Sequence, residues 1–257
     1  MKKEFYYKLA IQFKGTKYLG WQIQKDFGPT VQGELNRCII QIFKSNDIHT
    51  IGSGRTDTGV HSLSHIVKLR APFHIEFEGL RRGLNAILPK DIRVLSIYDC
   101  DPDFLPTNDA ESKEYRYLFS VGQNPSAFQI DCISNTRFEV DEELMKKACA
   151  SFMGKHDFSD FQCVGTDVSS SVREIFECEL IKQELDFHGI LPSHYVFRVV
   201  GNGFLKQMVR LMVGCIWDIG RGKTSLDDLE ASMVKPLGRR LGPVAPPEGL
   251  YKFDVQY

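Results

Sequence analysis

Gly52-Ser53-Gly54-Arg55-Thr56-Asp57-Thr58-Gly59-Val60-His61 sets a permanent cation, Arg55, two positions from a carboxylate, Asp57. Glycines at 52, 54 and 59 let the backbone turn tightly and approach a bulky ligand. If the segment is locally extended, Arg55 and Asp57 project to one side. An arginine beside it keeps an aspartate ionised at neutral pH, the state a nucleophile or general base requires. The ordinary alternative is an Asp-x-Gly turn in which Asp57 hydrogen-bonds its own backbone.

Other strings lack their context. Asp57-Thr58-Gly59 is also the tripeptide of aspartic proteases, which need two carboxylates sharing a proton. There is no second Asp-Thr-Gly or Asp-Ser-Gly, and no apolar strand precedes the tripeptide, so only a dimer could supply the pair. Gly222-Lys223-Thr224 resembles the end of a phosphate-binding loop, but Trp217 stands where that loop needs glycine. His61 and His65 have helical spacing in a strand-like segment without the adjacent glutamate of a zinc motif. The seven cysteines contain no Cys-x-x-Cys pair and read as reduced thiols of a cytoplasmic protein. No metal and no cofactor, nucleotide included, is expected.

The elements that must hold Arg55 and Asp57 are legible in the periodicity. Tyr7, Leu9, Ile11 and Phe13 alternate with polar residues, as in a half-buried strand over Tyr6–Lys14. Thr30 caps a helix with apolar positions Val31, Leu35, Cys38, Ile39, Ile42 and Phe43. Strands over His49–Ser53 and Ser64–Arg70 flank the glycine-rich turn. A helix over Phe77–Ala86 and a strand over Ile92–Tyr98 follow. Pro102 and Pro106 mark a junction, dividing the chain into halves 1–106 and 107–257.

The second half begins with a strand over Glu114–Val121 and a helix capped by Asp141 that runs to about Met153. Strands near Arg173–Gln183 and His194–Val200 lead to a long helix over Phe204–Ile219. Its apolar stripe is Phe204, Met208, Leu211, Cys215 and Ile219. A separate stripe carries Gly203, Lys206, Gln207, Arg210 and Gly214. Ser225 and Asp228 start a short helix, and Leu250–Tyr257 forms the last strand. The class is α+β, with each half a sheet plus helices.

Composition limits the partners. The 257 residues are 42% hydrophobic and 25% charged, which excludes a disordered chain. The longest apolar run, Leu211–Trp217, is far short of the ~20 residues a membrane span needs. Lys plus Arg total 32 against 33 Asp plus Glu. A uniformly basic protein is excluded, and a polyanion site must come from local clustering of cations.

Gly54-Arg55-Thr56-Asp57-Thr58-Gly59-Val60-His61 resembles the signature of the tRNA pseudouridine synthase A family, and further segments match in the family's order. They are Gly15-Thr16-Lys17-Tyr18-Leu19-Gly20-Trp21-Gln22, Thr30-Val31-Gln32-Gly33-Glu34-Leu35 and Leu84-Asn85-Ala86-Ile87-Leu88-Pro89. Lys113-Glu114-Tyr115-Arg116-Tyr117, Gly154-Lys155-His156-Asp157-Phe158, Gly203 through Arg210 and Ala245 through Tyr251 complete the set. The resemblance implies a pseudouridine synthase fold with two pseudo-symmetric halves, largely antiparallel sheets and a central cleft. It implies an isomerase that detaches uracil from its ribose, rotates it and rejoins it through carbon, at positions 38, 39 and 40 of the tRNA anticodon arm.

By the same resemblance Asp57 is the catalytic carboxylate and Arg55 helps evict the base and fills its place in the stack. Arg210 pairs with the carboxylate, within salt-bridge reach, and Tyr115 packs on the target base. Homodimerisation is implied as well. Lys14 and Ser53 stand where an aspartate and an alanine are usual, and Phe104-Leu105-Pro106-Thr107 where many members read Phe-His-Ala-Arg. Arg81, Arg82, Lys113, Arg116, Lys206, Arg221, Lys223, Arg239 and Arg240 could line an RNA groove around Asp57. A non-catalytic RNA-binding or chaperone protein on the same fold is the competing reading. Intact Asp57, Arg55, Tyr115 and Arg210 argue against it.

Overall fold

The structure, a computed structural model, describes residues 4–24, 27–122, 124–163, 165, 168–183 and 193–257. The chain forms two units. One runs through Glu111 and includes Lys252–Tyr257; the other is Ser112–Tyr251. The final six residues thus belong with the first unit, as do residues 107–111.

In the first unit β1 (Phe5–Phe13) buries Tyr7, Leu9, Ile11 and Phe13, the phase its alternation dictates. It lies between β3 (His61–Ala71) and β4 (Ile92–Asp99), antiparallel to both. β2 (His49–Gly52) also pairs with β3, and β10 (Leu250–Gln256) lies along β3. Helix α1 (Val31–Phe43) starts where Thr30 Oγ1 accepts from Gly33 N (3.2 Å) and stops at Lys44, in the left-handed region. Its stripe Val31, Leu35, Cys38, Ile39 and Phe43 packs into one core with β1 and β3. Each such side chain contributes about 1.5–3 kcal/mol on burial. Helix α2 (Phe77–Ile87) adds Leu80 and Leu84.

In the second unit β5 (Ser112–Val121), β9 (His194–Gly201), β8 (Val172–Gln183) and β7 (Gly154–Asp157) pair antiparallel in that order. A short β6 (Ser134–Thr136) runs parallel to β5. β6 and β7 carry too few residues to show a periodicity. Helices α3 (Glu142–Ser151) and α5 (Leu226–Val234) begin at caps from Asp141 and Ser225.

Helix α4 (Met208–Gly220) is four residues shorter at its start than the sequence suggests. Gln207 adopts φ +63°, a conformation no α-helix continues, so Phe204 and Lys206 belong to the preceding loop. The polar stripe on the expected helix therefore dissolves, leaving Arg210 and Gly214 as its helical members. Every residue from Leu211 to Gly220 is buried, including Asp218, which pairs with Arg221 (2.7 Å); a helix with so few polar residues belongs in the core. Gly214 allows this: a Cβ there would lie 1.8 Å from the Pro243 carbonyl oxygen.

Candidate active site

The Arg55–Asp57 segment connects β2 to β3 and is fixed from below by main-chain contacts. Trp21 N donates to the carbonyl of Thr56 (3.4 Å), and Gly59 N donates to the carbonyl of Tyr18 (3.2 Å). Val60 N closes the turn onto the Asp57 carbonyl (3.2 Å). Gly15 N donates to Nδ1 of His61 (3.0 Å), which makes that histidine an internal acceptor at the start of β3. These contacts explain why the two motifs occur together. The Gly15–Trp21 loop is the cradle on which the Asp57 turn rests.

The cradle needs glycine for space. A Cβ on Gly15 would stand 1.9 Å from the Val60 oxygen, and one on Gly20 2.2 Å from the Thr56 oxygen. Gly20 also has φ +89°, a conformation side chains resist. Tyr18 fastens the cradle through a 2.6 Å hydrogen bond from its hydroxyl to Asp91; burial, reinforced by that carboxylate, pushes its phenol pKa up. Gln32 accepts from Ile23 N and donates to the Thr50 carbonyl, tying α1 to the strand before the turn. With this base in place, Asp57 is partly buried and Arg55 exposed.

The turn is also gripped on its β2 side. Ser53 N donates to Ile66 O (2.8 Å), and Ser53 Oγ accepts from Ile66 N (3.2 Å). Lys252 Nζ, on β10, donates to the Ser53 carbonyl (3.2 Å) and to its Oγ. Thr107 Oγ1 donates to the carbonyl of Gly52 (3.1 Å). The unusual Phe104–Thr107 segment is therefore docked here: Lys68 Nζ donates to Phe104 O (2.9 Å), and Tyr257 OH to Pro106 O (2.8 Å). Lys252 escaped the motif reading. Its signal is faint: it stands in phase with Leu250, an inward position where a strand normally carries an apolar residue.

In the second unit, Tyr115 on β5 is partly buried and meets the Phe204 ring edge-on, centroids 4.9 Å apart. Tyr117 is fully enclosed and donates to the Pro246 carbonyl (2.8 Å). Arg210, at the start of α4, donates from Nε to the Ala245 carbonyl (2.7 Å), while Ala245 N donates to Arg210 O (3.1 Å). This reciprocal pair joins two of the sequence motifs and anchors the Arg210 guanidinium through its Nε. The Gly154–Phe158 motif is structural. His156 bridges the carbonyls of Met153 and Met233, and Asp157 accepts from Ser159 N and Ser171 Oγ.

The cations proposed for RNA differ in their surroundings. Arg81, Arg116, Arg221 and Arg239 are ion-paired with Glu78, Glu114, Asp218 and Asp228. Arg82, Lys206, Lys223 and Arg240 are exposed. Lys113 is partly buried, and its pKa is pushed down by burial and then by nearby Arg173. A cation in that setting gains from an arriving phosphate. Among the described residues no helix is long and apolar enough to cross a membrane.

Known proteins resemble this chain over almost its whole length. A family model described as tRNA pseudouridine synthase covers residues 9–104 and 148–257. The tRNA pseudouridine synthase A of a Geobacillus species is 35% identical over 97% of this chain and 97% of its own. That of Limosilactobacillus fermentum is 36% identical over 98% and 95%. In the crystal structure of the archaeal box H/ACA sRNP Nop10–Cbf5 complex, the similar chain is 14% identical with a TM-score of 0.35. The match covers 93% of this chain and 60% of that one. The chain belongs to the tRNA pseudouridine synthase family, enzymes that isomerise uridine to pseudouridine in tRNA.

Proposed function

We propose that this protein converts uridine to pseudouridine at positions 38, 39 and 40 of the tRNA anticodon arm, acting in the cytoplasm as a homodimer. Asp57 is its catalytic carboxylate. The observation that carries this reading is the cradle. Main-chain contacts from Tyr18, Gly20 and Trp21 hold the turn of an otherwise unremarkable Asp-x-Gly, and they leave Asp57 partly buried beside an exposed Arg55.

The chemistry sets the roles. The bond from ribose C1′ to N1 breaks, the uracil rotates, and C1′ bonds to C5. The C5 proton leaves and N1 gains one, so substrate and product are isomers and no co-reactant is consumed. An ionised Asp57 serves as nucleophile or base beside the glycosidic bond. A base stacked in a stem is out of reach, so it must be flipped. Arg55, exposed on the turn, takes the vacated place. Tyr115, braced by Phe204, packs on the extruded ring. Arg210, its guanidinium anchored through Nε on the Ala245 carbonyl, pairs with the carboxylate.

Arg82, Lys113, Lys206 and Arg240 contact phosphates, joined by Arg81, Arg116 and Arg239 when these exchange their carboxylate partners for RNA. Binding then weakens steeply with salt. The decisive experiment is Asp57→Asn with pseudouridine mapped in the anticodon arm. Loss of product with tRNA binding retained is expected; product at the wild-type rate would refute the assignment of Asp57.

A further inference from the structure

Lys252 is 1% exposed, and its ammonium reaches the strand end from which the Asp57 turn departs. It donates to both oxygens of Ser53 and stands 3.5 Å from Nδ1 of His65. Its own carbonyl accepts from Ser62 Oγ (3.1 Å), so β10 is tied to both flanks of the turn. His65 is in turn fixed against Trp21, ring centroids 4.2 Å apart, and Trp21 is part of the cradle. Ammonium, serine, histidine and indole thus form one buried chain of contacts running from β10 to the turn and back to the Gly15–Trp21 loop.

Burying an ammonium costs several kcal/mol, and a well-packed apolar side chain at such a site is often neutral or stabilising. Stability alone therefore does not account for a lysine here. What a lysine supplies, and a leucine or methionine cannot, is directional donors to the Ser53 carbonyl and hydroxyl. Those oxygens sit four residues before Asp57. Ser53 is the matching departure: an alanine there would offer the lysine one acceptor fewer.

We propose that Lys252 and Ser53 act together as a positioning pair that sets the Asp57 turn for the isomerisation. Neither group touches the uridine; each acts through the geometry of the turn. The proposal rests on the assignment of Asp57 as the catalytic carboxylate.

The test is Lys252→Met, Ser53→Ala and the double variant, with Asp57→Asn alongside. Single-turnover rate, KM for tRNA and amide hydrogen exchange are measured for each. Lys252→Met should lower kcat about tenfold with KM within about twofold, because displacing a catalytic group by ~1 Å can cost up to ~100-fold. Exchange should quicken at Gly54–Gly59 while the amides of β1 stay protected. The loss in the double variant should be smaller than the product of the two single losses, since the Nζ–Oγ contact is common to both changes.

A folded Lys252→Met enzyme with wild-type kcat, or a double variant whose losses multiply, would overturn the pairing. If Lys252→Met does not fold, Ser53→Ala decides alone: about a threefold fall in kcat at unchanged KM is expected, and no change overturns the proposal. An active Asp57→Asn enzyme would instead refute the underlying site assignment, whatever the Lys252 variants do.

Discussion

The α-carbon of Gly20 faces the carbonyl oxygen of Thr56 so closely that a Cβ would lie only 2.2 Å from it. This contact sets the height of the residue before Asp57. Gly20→Ala must either push the turn away or unwind φ +89°. We expect a loss of about 1–3 kcal/mol in stability. We also expect a fall in kcat of at least tenfold, through displacement of the turn. Thermal melting and single-turnover assays would check both; wild-type values for the two together would show that the cradle does not position Asp57.

Asp160 organises a different region. Its buried carboxylate accepts from Ser232 Oγ (2.7 Å), Leu237 N (2.6 Å) and Gly238 N (2.9 Å), just before Arg239 and Arg240. Asp160→Ala leaves those donors without their acceptor and should cost about 2–4 kcal/mol. If Arg239 and Arg240 contact tRNA, KM should rise while single-turnover kcat on saturating tRNA changes little. Denaturant unfolding and filter binding at several salt concentrations measure the two effects.

Glu114 predicts a pH dependence of stability. Burial raises its pKa, but Arg198 and Arg116 outweigh that and hold it below the ordinary carboxylate value. A carboxyl lowered on folding contributes stability above its unfolded pKa of about 4.3 and loses it as pH falls through the folded value. Glu114→Gln should therefore melt below wild type at pH 7. The gap should narrow as pH drops under about 4.3 and close below the folded pKa. A gap constant from pH 7 to pH 3 would remove Glu114 as the source.

Much of this protein was legible along the chain because the forces involved are local. Strand alternation in β1, the Thr30, Asp141 and Ser225 caps, and the stripe of α1 each depend on residues within a few positions. Helix α4 shows the limit. Its apolar spacing extends back to Phe204, yet Gln207 in the left-handed region starts the helix at Met208. Periodicity reports which residues are apolar, and it does not report one residue's φ.

The ordered motifs, and Asp57 among them, were fixed by residue identity alone. Only the tertiary structure decided why Gly15 and Gly20 accompany Asp57, and that Lys252 grips Ser53 from 199 residues away. Such contacts leave no periodic trace. They depend on which backbone oxygens the fold brings within 2–4 Å of a given atom, and sequence separation carries no information about that distance.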